Sequence, residues 1–103
     1  MQHVLKQACG IDVSKDELVV TLGRLTDTLK VELYARKTFP NTGTGFTGLQ
    51  HFVARHTLPD LPTRHVMEAR GCYHEELAFF LHDRGAEVSV VLPNRMSAYL
   101  RTL

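Results

Sequence analysis

The spacing of apolar residues changes character at Pro40, from strand patterns alone to helix and strand patterns in alternation, and that change confines the chain to a mixed α/β architecture. Before Pro40 the pattern is that of strands. Gln7 to Val13 is a short apolar run with Cys9, Ile11 and Val13 on one side, and Ser14-Lys15-Asp16-Glu17 reads as a turn. Leu18 to Leu22 is a second β-rich run, followed by a turn at Leu25-Thr26-Asp27-Thr28. From Leu29 to Phe39 the odd positions Leu29, Val31, Leu33, Ala35 and Phe39 are apolar, while Lys30, Glu32 and Arg36 are polar. A period of two predicts a strand with one face in water. Three strands joined by short turns make an antiparallel meander.

After Pro40 helices and strands alternate. Thr42 or Thr44 is the expected N-cap of a helix that carries Phe46, Leu49, Phe52 and Val53 on one stripe and runs to about His56. Leu58-Pro59-Asp60-Leu61-Pro62 ends it, and Arg64 to Ala69 is the next strand. A second helix places Tyr73, Leu77, Phe80 and Leu81 on one stripe, with Glu75 and Glu76 in its first turn, Arg84 in its last and Gly85 as its C-terminal cap. Ala86 to Leu92 is a strand whose Val90-Val91-Leu92 run fits a buried parallel position. Pro93-Asn94 opens a last helix with Met96, Tyr99, Leu100 and Leu103 inward. The predicted order is βββαβαβα, with a right-handed parallel β-α-β unit from Arg64 to Leu92. That is the element order of the RNase H-like fold. It predicts a mixed five-stranded sheet in spatial order 3-2-1-4-5 with flanking helices, the first and fourth strands adjacent and parallel.

Composition narrows the setting. At 103 residues the chain is read as one domain, and 44% hydrophobic residues are enough for one core. A formal charge of +1 means that any attraction to nucleic acid must be local. Cys9 and Cys72 form neither a disulfide framework nor a CxxC motif, which favours a reducing, cytoplasmic setting. No apolar run reaches membrane-spanning length.

Two acids stand out because of where they fall. Asp12 lies within Gly10-Ile11-Asp12-Val13, and Glu68 ends His65-Val66-Met67. An uncompensated carboxylate in such a strand costs several kcal/mol. The predicted topology brings the two to one sheet edge, where a shared Mg²⁺ or Mn²⁺ would compensate both. The competing reading is that each acid caps a turn or pairs with Lys15 or Arg70. Two carboxylates are also fewer oxygen ligands than metal nuclease sites generally use.

The same segments carry a family resemblance. Gly10-Ile11-Asp12-Val13-Ser14-Lys15 with Leu18-Val19-Val20 resembles the opening of DEDD-type insertion-sequence transposases, whose N-terminal half is a RuvC-like domain. Asn41-Thr42 through Gly45-Phe46 to Leu49 is similar to that family's Asn…Gly-Phe…Leu helix entry. Glu68-Ala69-Arg70-Gly71-Cys72-Tyr73-His74 is similar to its Glu-Ala-Thr-Gly-x-Tyr segment, and Val88 to Arg95 to its Val-x-Val-Val-Asn-Pro segment. The four blocks occur in order across nearly the whole chain. The resemblance implies a metal-dependent DNA transposase in which Asp12 and Glu68 are the first two acids of a catalytic tetrad. It implies that two further aspartates and a serine nucleophile lie farther along a longer protein, of which this chain is a fragment. It also implies DNA as partner, a homo-oligomer, and the use of a guide RNA as an open question. Arg70 departs from the family's usual threonine, and a cation there would either compete with metal or bind phosphate.

Lesser candidates follow. Ser14, Lys15 and Arg70 lie where phosphate contact is expected, and Arg95 and Arg101 form a small basic patch suited to a nucleic-acid backbone. A polar turn beside a strand also needs such residues for solubility alone. The six histidines show no zinc-ligand spacing with the cysteines, and Cys72 reads as a small packing residue. Two rival functions remain. One is a nucleotide-binding half-domain of the actin/sugar-kinase type, against which the bulky, charged Val13-Ser14-Lys15-Asp16 argues. The other is a non-catalytic docking or dimerisation module with structural acids.

Overall fold

The computed structural model describes residues 3–69, 71–91 and Leu100. Its elements are β1 (Val4–Val13), β2 (Glu17–Thr26), β3 (Val31–Pro40), α1 (Gly43–His56), β4 (Thr63–Glu68), α2 (Glu75–Asp83) and β5 (Glu87–Val91). The sheet order is β3-β2-β1-β4-β5, as expected, with β1 antiparallel to β2 and parallel to β4. Cys9, Ile11 and Val13 form one core with Leu18, Val20 and Leu22 of β2, Met67 of β4, Leu49 of α1 and Leu77 of α2. Both helices therefore cover one face of the sheet. Leu100 is helical and buried; the rest of the helix expected after Pro93 lies outside the described residues.

The strand pattern needed correction in three places. β2 continues through Leu25 and Thr26, so the turn falls on the residues after it. There Leu29 adopts φ 61° and is 75% exposed instead of starting the next strand. Within β3, the pairing steps from Leu22↔Ala35 to Gly23↔Leu33, so Tyr34 is an extra residue. Such a bulge inverts the alternation. Ala35 and Phe39 face the core, whereas Val31 and Leu33, expected on the same face, turn away, and Leu33 is 57% exposed. Tyr34 packs against the core instead, its hydroxyl donating to the His56 carbonyl at 2.7 Å while the Arg24 guanidinium stacks over its ring.

The third correction concerns β5. It pairs in parallel with β4 at the sheet edge, as the predicted order requires, but the expected burial fails at Val90, which is 46% exposed. Tyr73, expected on the second helix's inner stripe, precedes that helix and is exposed; Leu77 and Leu81 hold the core position. The end of α2 follows expectation. Gly85 has φ +80°, its N–H donates to the His82 carbonyl at 2.9 Å, and the Ala86 N–H reaches Leu81 at 3.1 Å. This paired arrangement satisfies carbonyls that the helix end leaves open.

Gln7 is a buried polar residue that pattern reading missed. Its Nε2 donates to the carbonyls of Leu58 (2.8 Å) and Leu61 (2.7 Å), and its Oε1 accepts from the Leu58 N–H (2.9 Å). One amide thus fastens the α1–β4 connection to β1.

Candidate functional site

The register of β1 on β4 pairs Gly10 with Val66 and Ile11 with Met67. Carried one residue further, it sets Asp12 level with Glu68 on neighbouring strands, whose separation is about 4.8 Å. Ile11, Val13 and Met67 occupy the helix-covered face, so strict alternation puts both acids on the other face. Both strands are interior to the sheet: Asp12 pairs with Val19 of β2, and Glu68 with Val91 of β5. Asp12 is half-buried and Glu68 is only 5% exposed. Each takes part in at least one further interaction. The acids lie at the C-terminal ends of parallel strands, the edge where α/β sheets generally bind ligands.

The chain turns sharply after each acid. Beyond Asp12, Ser14 closes the β1–β2 turn: its hydroxyl donates to the Glu17 carbonyl at 3.1 Å and accepts from the Glu17 N–H at 3.2 Å. The Ser14 side chain is thus engaged in local structure, and exposed Lys15 stands at the turn's tip. Beyond Glu68, the Ala69 N–H donates to the Val91 carbonyl at 2.9 Å, Gly71 takes φ +57°, and a turn leads into α2. Asp12, Ser14, Lys15 and Glu68 therefore share one sheet edge. Arg70, Arg95 and Arg101 lie outside the described residues.

Asn41 also belongs to this edge. Its Nδ2 donates to the carbonyls of Ser14 (2.8 Å) and Tyr73 (3.1 Å), and its N–H to Asp16 (2.9 Å). Sequence reading placed it only as a helix-entry motif. An asparagine between a strand-ending proline and an N-cap threonine was the available signal, because such a residue commonly bonds to nearby main chain. Thr42 is the N-cap, accepting from the Gly45 N–H at 3.2 Å.

The donor set is carboxylate oxygen. Among the described residues no group of three or more His, Cys, Asp or Glu converges on one point. Two hard oxygen donors on adjacent strands fit Mg²⁺ or Mn²⁺, which keep several waters when bound by few carboxylates. The thiols do not contribute: Cys9 is buried, with its pKa pushed up by burial, and Cys72 is exposed. His65 lies toward the opposite end of β4, lining a cleft of about 360 Å³ with Val53 and Leu81. Burial pushes its pKa below 6.5, against the backbone of Glu87 and Thr63, and its Nδ1 has no hydrogen-bond partner.

No helix among the described residues is long and apolar enough to cross a membrane. No curated protein sequence matches the chain. Among solved structures it is similar to T. thermophilus RuvC in complex with a Holliday junction substrate, with a TM-score of 0.54 and 14% identity over 85% of this chain and 65% of that one. It is also similar to the Aquifex aeolicus member of the Ppx/GppA family (TM-score 0.52, 10% identity, 87% of this chain and 36% of that one). Thermoplasma acidophilum Pelota gives a TM-score of 0.52 at 10% identity over 95% of this chain and 32% of its own. The chain thus spans only part of each of these proteins. Identities this low show the RNase H-like fold alone, which hosts unrelated functions. The sequence profile of the IS110-type DEDD transposases, by contrast, matches residues 9–102, nearly the whole chain. By that match the chain belongs to the DEDD transposase family.

Proposed function

We propose that this chain is the N-terminal part of a transposase catalytic domain, in which Asp12 and Glu68 hold Mg²⁺ or Mn²⁺ for DNA strand cleavage and transfer by the full-length protein. The observation that carries this reading is the parallel β1–β4 register, which pairs Ile11 with Met67 and so brings both acids to the C-terminal edge of adjacent strands. A bound ion would polarise a phosphate oxygen and lower the pKa of the attacking hydroxyl. Asp12 and Glu68 would hold it from adjacent, hydrogen-bonded strands of one sheet. Lys15, at the exposed turn beside them, neutralises phosphate charge, and Arg70, Arg95 and Arg101 extend that role along the DNA backbone.

Two carboxylates are half of a four-acid set, so the remaining ligands and the nucleophile come from a longer protein of which this chain is one domain. The chain alone then binds metal weakly and does not cut DNA at a useful rate. A homo-oligomer working on DNA in the cytoplasm, with or without a guide RNA, completes the proposal. The test is metal-dependent cleavage of supercoiled DNA by the chain, the full-length protein and full-length Asp12→Asn. Loss of about 10³-fold or more in the variant, with DNA binding retained, supports the reading. Full activity in Asp12→Asn, or robust cleavage by the purified chain, sinks it. A thermal-shift control with ATP tests the rival half-domain reading; protection by ATP would favour nucleotide binding.

A further inference from the structure

The loops that follow the two acids are joined through one side chain. Asn41 lies between the end of β3 and the N-cap of α1. Its two long-range partners are both carbonyl oxygens, Ser14 at 2.8 Å and Tyr73 at 3.1 Å, so both must be met by the amide N–H₂ group. Ser14 stands two residues after Asp12, and Tyr73 lies in the loop between Glu68 and α2. Sequence separations of 27 and 32 residues make these tertiary bonds, unlike an ordinary turn. The base from which Asn41 reaches is firm: its own N–H is held by Asp16, and Gly45 of α1 packs directly against the Pro40 carbonyl. The β1–β4 register runs through Ile11↔Met67, so the acids sit just past the end of that ladder, next to these loops.

We infer that Asn41 is a positioning residue for the Asp12–Glu68 pair. By tying the loop after each acid to the same amide, it holds the two carboxylates at the separation that a shared divalent cation requires. The inference rests on the metal reading of the pair, and removal of a group that orients metal ligands typically weakens binding about 10–100-fold.

The test is a Mg²⁺ titration of this chain, followed by amide NMR, on wild type, Asn41→Ala, Asp12→Asn and Gln7→Leu. Gln7→Leu loosens the fold away from the acids and controls for stability alone. The expected result is binding weakened about tenfold in Asn41→Ala and unchanged in Gln7→Leu. Should Asn41→Ala not fold, Asn41→Ser, which keeps the local turn chemistry, is read in the same way. Wild-type affinity in the folded Asn41 variant, with binding lost in Asp12→Asn, overturns the positioning role and leaves the metal reading standing. Equal weakening in Gln7→Leu also overturns it. Wild-type affinity in Asp12→Asn overturns the metal reading and this inference with it.

Discussion

Gln7→Leu should destabilise the protein far more than a polar-to-apolar change usually does. The native amide makes three hydrogen bonds of 2.7–2.9 Å to Leu58 and Leu61 from a buried position. Each bond contributes roughly 0.5–1.5 kcal/mol net, and a buried group left unpaired costs about 1–3 kcal/mol. Leu58 is itself exposed, so its freed N–H and carbonyl can be rehydrated at the expense of loop order. Leucine regains part of the loss by filling the space with apolar atoms. The balance is about 2–4 kcal/mol, the upper part of the range for single substitutions. In a domain of this size that lowers Tm by about 10–20 °C. Urea and thermal unfolding followed by circular dichroism give the magnitude, and hydrogen exchange at the Leu58 amide gives the location. A loss under about 1 kcal/mol with Leu58 still protected would show that the amide network is not what fastens this connection.

At Gly45 an added Cβ would sit 1.7 Å from the Pro40 carbonyl oxygen; Gly45→Ala should therefore cost about 2–3 kcal/mol, measured by urea unfolding, and a neutral result would refute the close approach. Leu29 holds φ 61° in an exposed turn, so Leu29→Gly should gain about 0.5–1 kcal/mol as relief of left-handed strain exceeds glycine's entropic cost, and destabilisation would contradict it. For His65, 7% exposed, the folded-state pKa lies below the ordinary 6.5 because burial disfavours the charged ring. The unfolded chain then takes up the proton first, so the residue's contribution is full above pH 6.5 and falls as pH drops through 6.5 toward the folded value. Compared over pH 5–8 by urea unfolding, roughly the range in which histidine titrates, His65→Gln should lose less stability on acidification than wild type, and parallel curves would refute the assignment.

The sequence by itself determined the class of fold and the order of the described elements, and it singled out the two acids as candidates. Those rest on local periodicity and on a conspicuous anomaly: a carboxylate in an apolar strand is visible wherever that strand packs. The N-cap at Thr42 and the positive-φ stop at Gly85 were legible for the same reason, since both satisfy helix ends within a few residues. The tertiary structure decided everything that depends on a partner distant in sequence. The bulge at Tyr34 inverted half of β3 because register is set by β2, not by the alternation within β3. Val90 is 46% exposed although it sits in an apolar run, because burial depends on what packs over a face and not on the run itself. Gln7 and Asn41 find partners 27 to 54 residues away, and no local spacing encodes a hydrogen bond of that range. The nearness of Asp12 to Glu68 belongs to this second group: their residue types were plain in the chain, but only the parallel register of β1 on β4, which pairs Ile11 with Met67, brings them to adjacent strands.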